Sequence, residues 1–415
     1  VDSSLQSRVG SNFSVSYPDF PSFTQKAQSF RLHQETGKHD VMEITYPVLH
    51  DQYFKALKTG VPVLVQWSND KFSTEFYGYV HDVSHTTQQV LERKTVIKVI
   101  GASFPLKEGG SKIWLKKTAP SIVEDIAKTF KLKAVVTPHS TIFPQQSLSG
   151  HSYFEKIQEL AHKIGYVFQV YQTELHFHPI DKMIDTFIGS MPVMTFKSNY
   201  ISGPFDMIVS PTLDLFKPRI GDHFDKSLHS RKEKVISGVD PVTGKFYSVS
   251  SSPETTGKNL RQDTKAPLFK QNLPTVISGD KEIAKTFAKG HAELSRFSIT
   301  AEGSGQGDPR FAPYKTIEIN GTGDTTDGFW VIQKATHFVA WDGRYTVDFT
   351  CISDGTGGNK STSSRPSGSE TFPIVKINTT GKPKKPTSTK LTAKTAMLSQ
   401  SNAGFKLTPR RWTGL

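Results

Sequence analysis

Near residue 350 the chain alternates: Tyr345, Val347, Phe349 and Cys351 share one face at period two, while Arg344, Thr346 and Asp348 share the other. One face is wet and one is buried. Two further strand-like runs precede it, Lys315 to Asn320 and Phe329 to Ala340. The turns Gly321 to Gly328 and Trp341-Asp-Gly-Arg344 supply the positive-φ residues that hairpins need. This pattern predicts an antiparallel meander. A similar outline occurs about 250 residues earlier, as Val61 to Trp67, Phe76 to His85 and Thr95 to Ile100. Phe76-Tyr-Gly-Tyr-Val-His-Asp-Val83 aligns by pattern with Gly328-Phe-Trp-Val-Ile-Gln-Lys-Ala335, and Thr95 to Ile100 with Tyr345 to Thr350. Two related β domains are expected, against the alternative that any two antiparallel meanders look alike.

Elsewhere the periodicity changes. A hairpin is expected about the Thr36-Gly-Lys-His39 turn, and Asp51 to Lys58 reads as one or two helical turns. With the opening run Asn12-Phe-Ser-Val-Ser-Tyr17 and the early meander this gives six strands, enough for a small closed or nearly closed barrel. Pro120 to Phe130 carries Ile122, Val123, Ile126 and Phe130 on one helical face. Ser152-Tyr-Phe-Glu155 is a capping box opening a helix through Phe154, Ile157, Leu160, Ala161 and Ile164, closed by Gly165. Ala134 to Thr137, Tyr166 to Tyr171 and Glu174 to His178 read as short strands. Asp280 to Leu294 is a third helix, with Ile283, Ala284, Phe287, Ala288, His291 and Leu294 inward. Lys217 to Lys270 reads as an extended polar loop.

The expected fold class is mainly β with an α+β insert: two related antiparallel β-barrel domains separated by a small α+β module, with an extended C-terminal tail. The expected division is a first barrel over 1–108 and an α+β insert over 109–190. A second barrel follows over 191–352, including the polar loop 217–270 and the helix 280–294, and then a basic arm over 353–415.

Charge modifies this picture only once it is located. Eleven Lys and Arg against two acids between Ser353 and Leu415 contribute +9 of the chain's +13. The excess belongs to a tail rich in Ser, Thr, Gly, Pro and Lys that buries too little apolar surface to fold alone. It reads either as a solvated linker or as an arm docking on an acidic partner or nucleic acid, and the protein-docking reading is favoured because the aromatic-interleaved groove of a nucleic-acid binder is missing. No apolar run approaches the roughly 20 residues that span a bilayer, and the amino end lacks a signal-peptide pattern, so membrane insertion is not expected. Cys351, the single cysteine, reads as a small core residue.

Candidate chemistry is sparse. His176 and His178 share a strand face, yet a metal site needs three or four convergent ligands. Gly221-Asp-His-Phe-Asp225 places two carboxylates about a histidine in what reads as a turn. Asp82 with His81 and His85 makes half a triad without a nucleophile. Gly303-Ser-Gly-Gln-Gly307 lacks the following helix of a phosphate cradle and reads as a hairpin tip. No catalytic, cofactor-binding or metal-binding residue is assigned, and no cofactor is expected. That favours an assembly protein over an enzyme.

Taken in order, Phe76-Tyr-Gly-Tyr-Val80, the strand and helix from Trp114 to Phe130, the run Ser152 to Tyr166, Asp308-Pro-Arg-Phe-Ala-Pro313, Gly328-Phe-Trp-Val331 and His337 resemble a known series. It is that of the baseplate hub proteins of contractile-tailed phages, the late control gene D family, similar also to the N-terminal half of type VI secretion VgrG spike proteins. The resemblance covers about residues 10 to 352. It departs at Pro313-Tyr314, where the family has Pro-Gly, and in the length of the 217–270 stretch.

The resemblance implies a non-enzymatic homotrimer using two barrels per chain as a three-fold to six-fold symmetry adapter between tail tube and central spike, with an axial channel passing DNA during ejection. Implied partners are the tail tube protein, the central spike, baseplate wedge proteins and, as a further candidate, the tape measure protein. The implied location is the virion baseplate, assembled in the host cytoplasm. Two alternatives stay open: a virion-associated cell-wall hydrolase, and a polyanion-binding protein acting through the basic arm.

Overall fold

The computed structural model describes residues 12–23, 25–47, 49, 51–69, 72–88, 92–186, 193–196, 212–219, 233–240, 243–252, 270–273, 281–297, 299–320, 322 and 328–353. First come β1 (Asn12–Ser16), β2 (Ser29–Glu35), β3 (Val41–Tyr46), α1 (Asp51–Ala56), β4 (Pro62–Ser68), β5 (Ser73–Gln88) and β6 (Glu92–Gly101). Period-two burial sends Phe30, Leu32, Met42, Ile44, Val63, Val65, Ile97 and Val99 to one interior. These strands lie in the order β1-β4-β5-β6-β3-β2. The sheet curls until Phe13 of β1 meets Phe30 of β2 edge-on, with centroids 5.3 Å apart.

An α+β module follows, comprising β7 (Lys112–Thr118), α2 (Ala119–Thr129), β8 (Lys133–Val136), β9 (Ile142–Leu148), α3 (Tyr153–Ile164), β10 (Tyr166–Tyr171), β11 (Glu174–Pro179) and α4 (Ile180–Thr186). The capping box is formed: Glu155 N donates to Ser152 Oγ at 3.2 Å and Ser152 N to Glu155 Oε2 at 2.8 Å. Gly165 ends α3 at φ 70.

Next are β12 (Val193–Phe196), β13 (Thr212–Arg219), β14 (Glu233–Val239), β15 (Phe246–Ser251), β16 (Lys270–Asn272), α5 (Lys281–Leu294), β17 (Ile299–Gln306), β18 (Thr316–Asn320), β19 (Gly328–Ala340) and β20 (Tyr345–Ser353). The order β12-β18-β19-β20-β17-β13 closes into a barrel, because β12 pairs with both β18 and β13, each in parallel.

The first sheet stays open, because no ladder joins β1 to β2 among the described residues, yet this open first barrel and the closed second one repeat one plan. Position for position, β4-β5-β6-β3-β2 matches β18-β19-β20-β17-β13, with every one of these ladders antiparallel. Each middle strand has a bulge, between Val80 and Asp82 in β5 and between Ile332 and Lys334 in β19, an offset of 252. The same offset separates the strand ends Gln88 and Ala340, and Gly101 and Ser353. Val99 therefore corresponds to Cys351, so the third strands match two residues further along than the pattern alignment placed them.

The departure at Pro313-Tyr314 has a place in this repeat. Gly60 N–H donates to the Val80 carbonyl and Val80 N–H to that of Val61; Tyr314 N–H donates to the Ile332 carbonyl and Ile332 N–H to that of Lys315. Gly60 has φ 90 and Tyr314 φ 63, so the tyrosine holds the left-handed conformation of its glycine counterpart. Tyr314→Gly should release about 1 kcal/mol of backbone strain and forfeit about 2–3 kcal/mol from a ring now buried. Burial wins, and thermal unfolding should show a net loss of about 1–2 kcal/mol.

Two expectations are corrected. The polar stretch 217–270 contains the end of β13 and the strands β14, β15 and the first residue of β16, the last three joined in one small sheet. Ile236 and Tyr247 of that sheet pack on Ala284, Phe287 and Ala288 of α5, so the helix supplies most of the apolar surface and the strands read as polar. Gly303-Ser-Gly-Gln-Gly307 is not a hairpin tip, since β17 runs through it to Gln306. A Cβ at Gly303 would lie 2.3 Å from Phe349 Cζ, and one at Gly307 2.0 Å from Tyr345 Cδ2. These glycines make room for two rings on β20.

Candidate functional site

The feature that unites the chain is the seam between its barrels. Along one edge of β19, Gly328–Ile319 and neighbouring pairs join β18, while Lys334 to Ala340 pair with Glu35 to Ser29 of β2. The opposite edge pairs with β20. One long strand thus belongs to both sheets, and its bulge at Gln333 falls between the two partners, where Thr36 N–H donates to the Gln333 carbonyl at 2.9 Å.

A buried relay backs this ladder. His337 Nε2 lies 3.1 Å from the Phe311 carbonyl, which can only accept, so Nε2 carries the proton. Nδ1 must then accept from Tyr345 O–H at 2.9 Å, and the same phenol oxygen accepts the Trp67 indole N–H at 3.1 Å. Burial, first among the causes, pushes the His337 imidazole down to about 4, which keeps it neutral in this role. Trp67 belongs to the first barrel and the other three residues to the second. Beside them Asp308 holds Arg310 through Nε at 2.9 Å and Nη2 at 2.6 Å, and the guanidinium lies 3.9 Å from the centroid of Phe72, between β4 and β5.

A second junction ties the first barrel to the α+β module. Gln34 Nε2 donates to Asp40 Oδ2 at 2.9 Å and Gln169 Nε2 to Asp40 Oδ1 at 3.3 Å. Burial outweighs both contacts and pushes the Asp40 carboxyl up to about 7. His39 stacks on Phe154, with centroids 3.8 Å apart.

The singled-out side chains scatter over the fold. His176 and His178 share a buried face of β11, with ring centroids 5.7 Å apart. Glu174, an acidic neighbour unplaced by the spacing argument, reaches His176 Nε2 at 3.2 Å, and His178 Nδ1 meets Thr137 Oγ1 at 2.7 Å. No cluster of three or more metal-ligating side chains occurs among the described residues. His85 Nδ1 meets Thr95 Oγ1 at 3.0 Å, while His81 lies against Phe104. Cys351 is fully buried, its thiol pushed up by desolvation. Gly221 to Asp225 and the arm after Ser353 lie outside the described residues. Among the described residues no helix is long and apolar enough to cross a membrane. By contrast Asp308, Arg310, Phe311 and His337, which carried the resemblance, come together at the seam.

At the level of sequence no protein-family model and no curated protein matches the chain. Solved structures do. The 43 kDa tail protein of prophage MuSo2 from Shewanella oneidensis matches with a TM-score of 0.57 at 13% identity, over 83% of this chain and 99% of that one. The tail protein from Neisseria meningitidis MC58 gives 0.57 at 11% identity, over 84% and 98%. The chain shares the fold of these tail proteins. A component of the E. coli type VI secretion system, itself structurally similar to the T4 bacteriophage tail proteins gp27 and gp5, matches with a TM-score of 0.51 at 11% identity, over 85% of this chain and 81% of that one.

Proposed function

We propose that the chain is the structural, non-enzymatic hub of a phage-tail baseplate, acting as a homotrimer. The supporting observation is the internal repeat: two barrels of one strand order, fused through β2 and β19, in one polypeptide. Three such chains offer six similar barrels about an axis, so a three-fold object matches a six-fold tube ring on one side and a trimeric spike on the other. The division at 1–108, 109–190, 191–352 and 353–415 belongs to this reading. The barrels form the ring, the α+β elements meet the spike and baseplate wedges, and the basic arm docks on a neighbouring protein. DNA passes the axial channel on weak, nonspecific wall contacts.

The test is the mass of the purified chain in solution. Three times the 46.1 kDa chain mass is expected. A monomer at high concentration, or an even-numbered assembly, overturns the proposal. Release of sugar or peptide from purified peptidoglycan by this preparation would count for the hydrolase alternative instead.

A further inference from the structure

The repeat assigns a partner to each of two strand edges. Within the chain, the second half of β19 takes β2 along the edge it also offers to β18. Its counterpart in β5, Asp82 to Gln88, has β6 on one side and no strand on the other among the described residues. The counterpart of β2 is β13. There, β12 meets only Thr212 and Leu213, so the stretch from Leu215 to Arg219 has β17 on one side alone among the described residues. Leu215 on this edge is 43% exposed, and natural sheets cover such edges.

We infer that Ser84 to Gln88 of one copy pairs antiparallel with Leu215 to Arg219 of a second copy, repeating between chains the β2–β19 ladder found within each. The register follows from the repeat. Leu32 faces Met42, and Pro218 faces Ala301 at the corresponding place, so Leu32 matches Pro218, and Arg31 and His33 match Lys217 and Arg219. Within the chain Phe338 faces Arg31 and Thr336 faces His33. Subtracting the 252 offset, Thr86 faces Lys217 and Ser84 faces Arg219 across the chain boundary.

Pro218 fits this geometry at a cost of one bond. The bonds from Thr36 N–H to the Gln333 carbonyl and from Trp341 N–H to the Gln28 carbonyl show that even-numbered residues of β2 address β19. Pro218, matching Leu32, thus turns a carbonyl and no N–H to the neighbour, and a proline there also discourages wrong partners. The contact is head-to-tail: each copy gives one edge and receives another, and it closes at three copies when each barrel turns one sixth of a circle. The inference rests on the trimer proposed above.

Thr86 and Lys217 match a pair that is not hydrogen-bonded, whose Cα atoms stand about 4.5 Å apart in an antiparallel ladder, within disulfide reach. A chain carrying Thr86→Cys and Lys217→Cys should, on oxidation, run on a non-reducing gel as cross-linked species up to a covalent trimer, reversed by reductant. Thr86→Cys with Arg219→Cys, two residues out of register, should cross-link at least tenfold less. A trimeric mass with no cross-link, or with equal cross-linking of both pairs, overturns the ladder and leaves the trimer standing. A monomeric mass removes both.

Discussion

Lowering the pH from 7 to 5 should remove several kcal/mol of folding stability, with the loss centred on buried imidazoles. Burial pushes His39, His178, His291 and His337 each down to about 4. Unfolded, they bind protons near the ordinary value of 6.5. Their contribution is therefore fully present above 6.5 and is lost as pH falls towards 4. Asp40, pushed up to about 7, acts oppositely: folded, it keeps a proton that the unfolded chain releases above 3.8. Near pH 5 the unfolded state thus binds about three more protons than the folded state, a slope on the order of 4 kcal/mol per pH unit. His337→Gln should flatten the slope by about 1.4 kcal/mol per pH unit while lowering stability at pH 7 by about 1–3 kcal/mol, since the Tyr345 hydroxyl and the Phe311 carbonyl lose their placed partner. Urea unfolding of both proteins at pH 7, 6 and 5 measures this. Parallel pH dependences would mean that His337 is hydrated and the relay is not sealed.

That relay shows where reading the sequence stops. Period two located β20 and its buried face, and a local motif located the start of α3, because both signals sit within a few residues. The pairing of Trp67 with Tyr345 spans 278 positions and leaves no local mark, since either ring could have satisfied its polar group elsewhere. The two-residue slip between the third strands was invisible for a sharper reason: a shift of two keeps every side chain on its own face, so only the bulges at His81 and Gln333 fix the register. Strands β14 and β15 were hidden because the apolar half of their contact is carried by α5. The glycines at 303, 305 and 307 did carry a signal, because their spacing of two is that of a strand face and not of a turn. Asp40 and Gln169 had none; each is an ordinary polar residue until the α+β module closes over the β2–β3 turn.

Gly165→Ala should be among the most damaging single-methyl additions to this protein. A Cβ there would lie 2.0 Å from Gly290 Cα, and one at Gly290 would lie 2.4 Å from Gly165 Cα. Both obstacles are backbone, so no rotamer change relieves them, and α3 and α5 must move apart by more than 1 Å to restore an ordinary contact of about 3.5–4.0 Å. Helix α5 cannot shift cheaply. On one side Ile283 is part of the α+β core, and on the other Ala284, Phe287 and Ala288 hold the sheet of β14, β15 and β16. Overpacking costs about 1–3 kcal/mol, and Gly165, at φ 70, adds about 1 kcal/mol for a side chain in the left-handed region. Gly150 separates the two effects, for it has φ 73 and nothing within 4 Å of its virtual Cβ. Gly150→Ala should therefore cost about 1 kcal/mol, Gly290→Ala about 1–3 kcal/mol, and Gly165→Ala about the sum of the two. Hydrogen exchange should show α5 and the β14–β15 hairpin opening first in the two interface variants, with the barrels still protected. Equal losses for Gly150→Ala and Gly165→Ala would mean that α3 and α5 do not touch, and that the α+β module moves independently of α5 and the sheet of β14, β15 and β16.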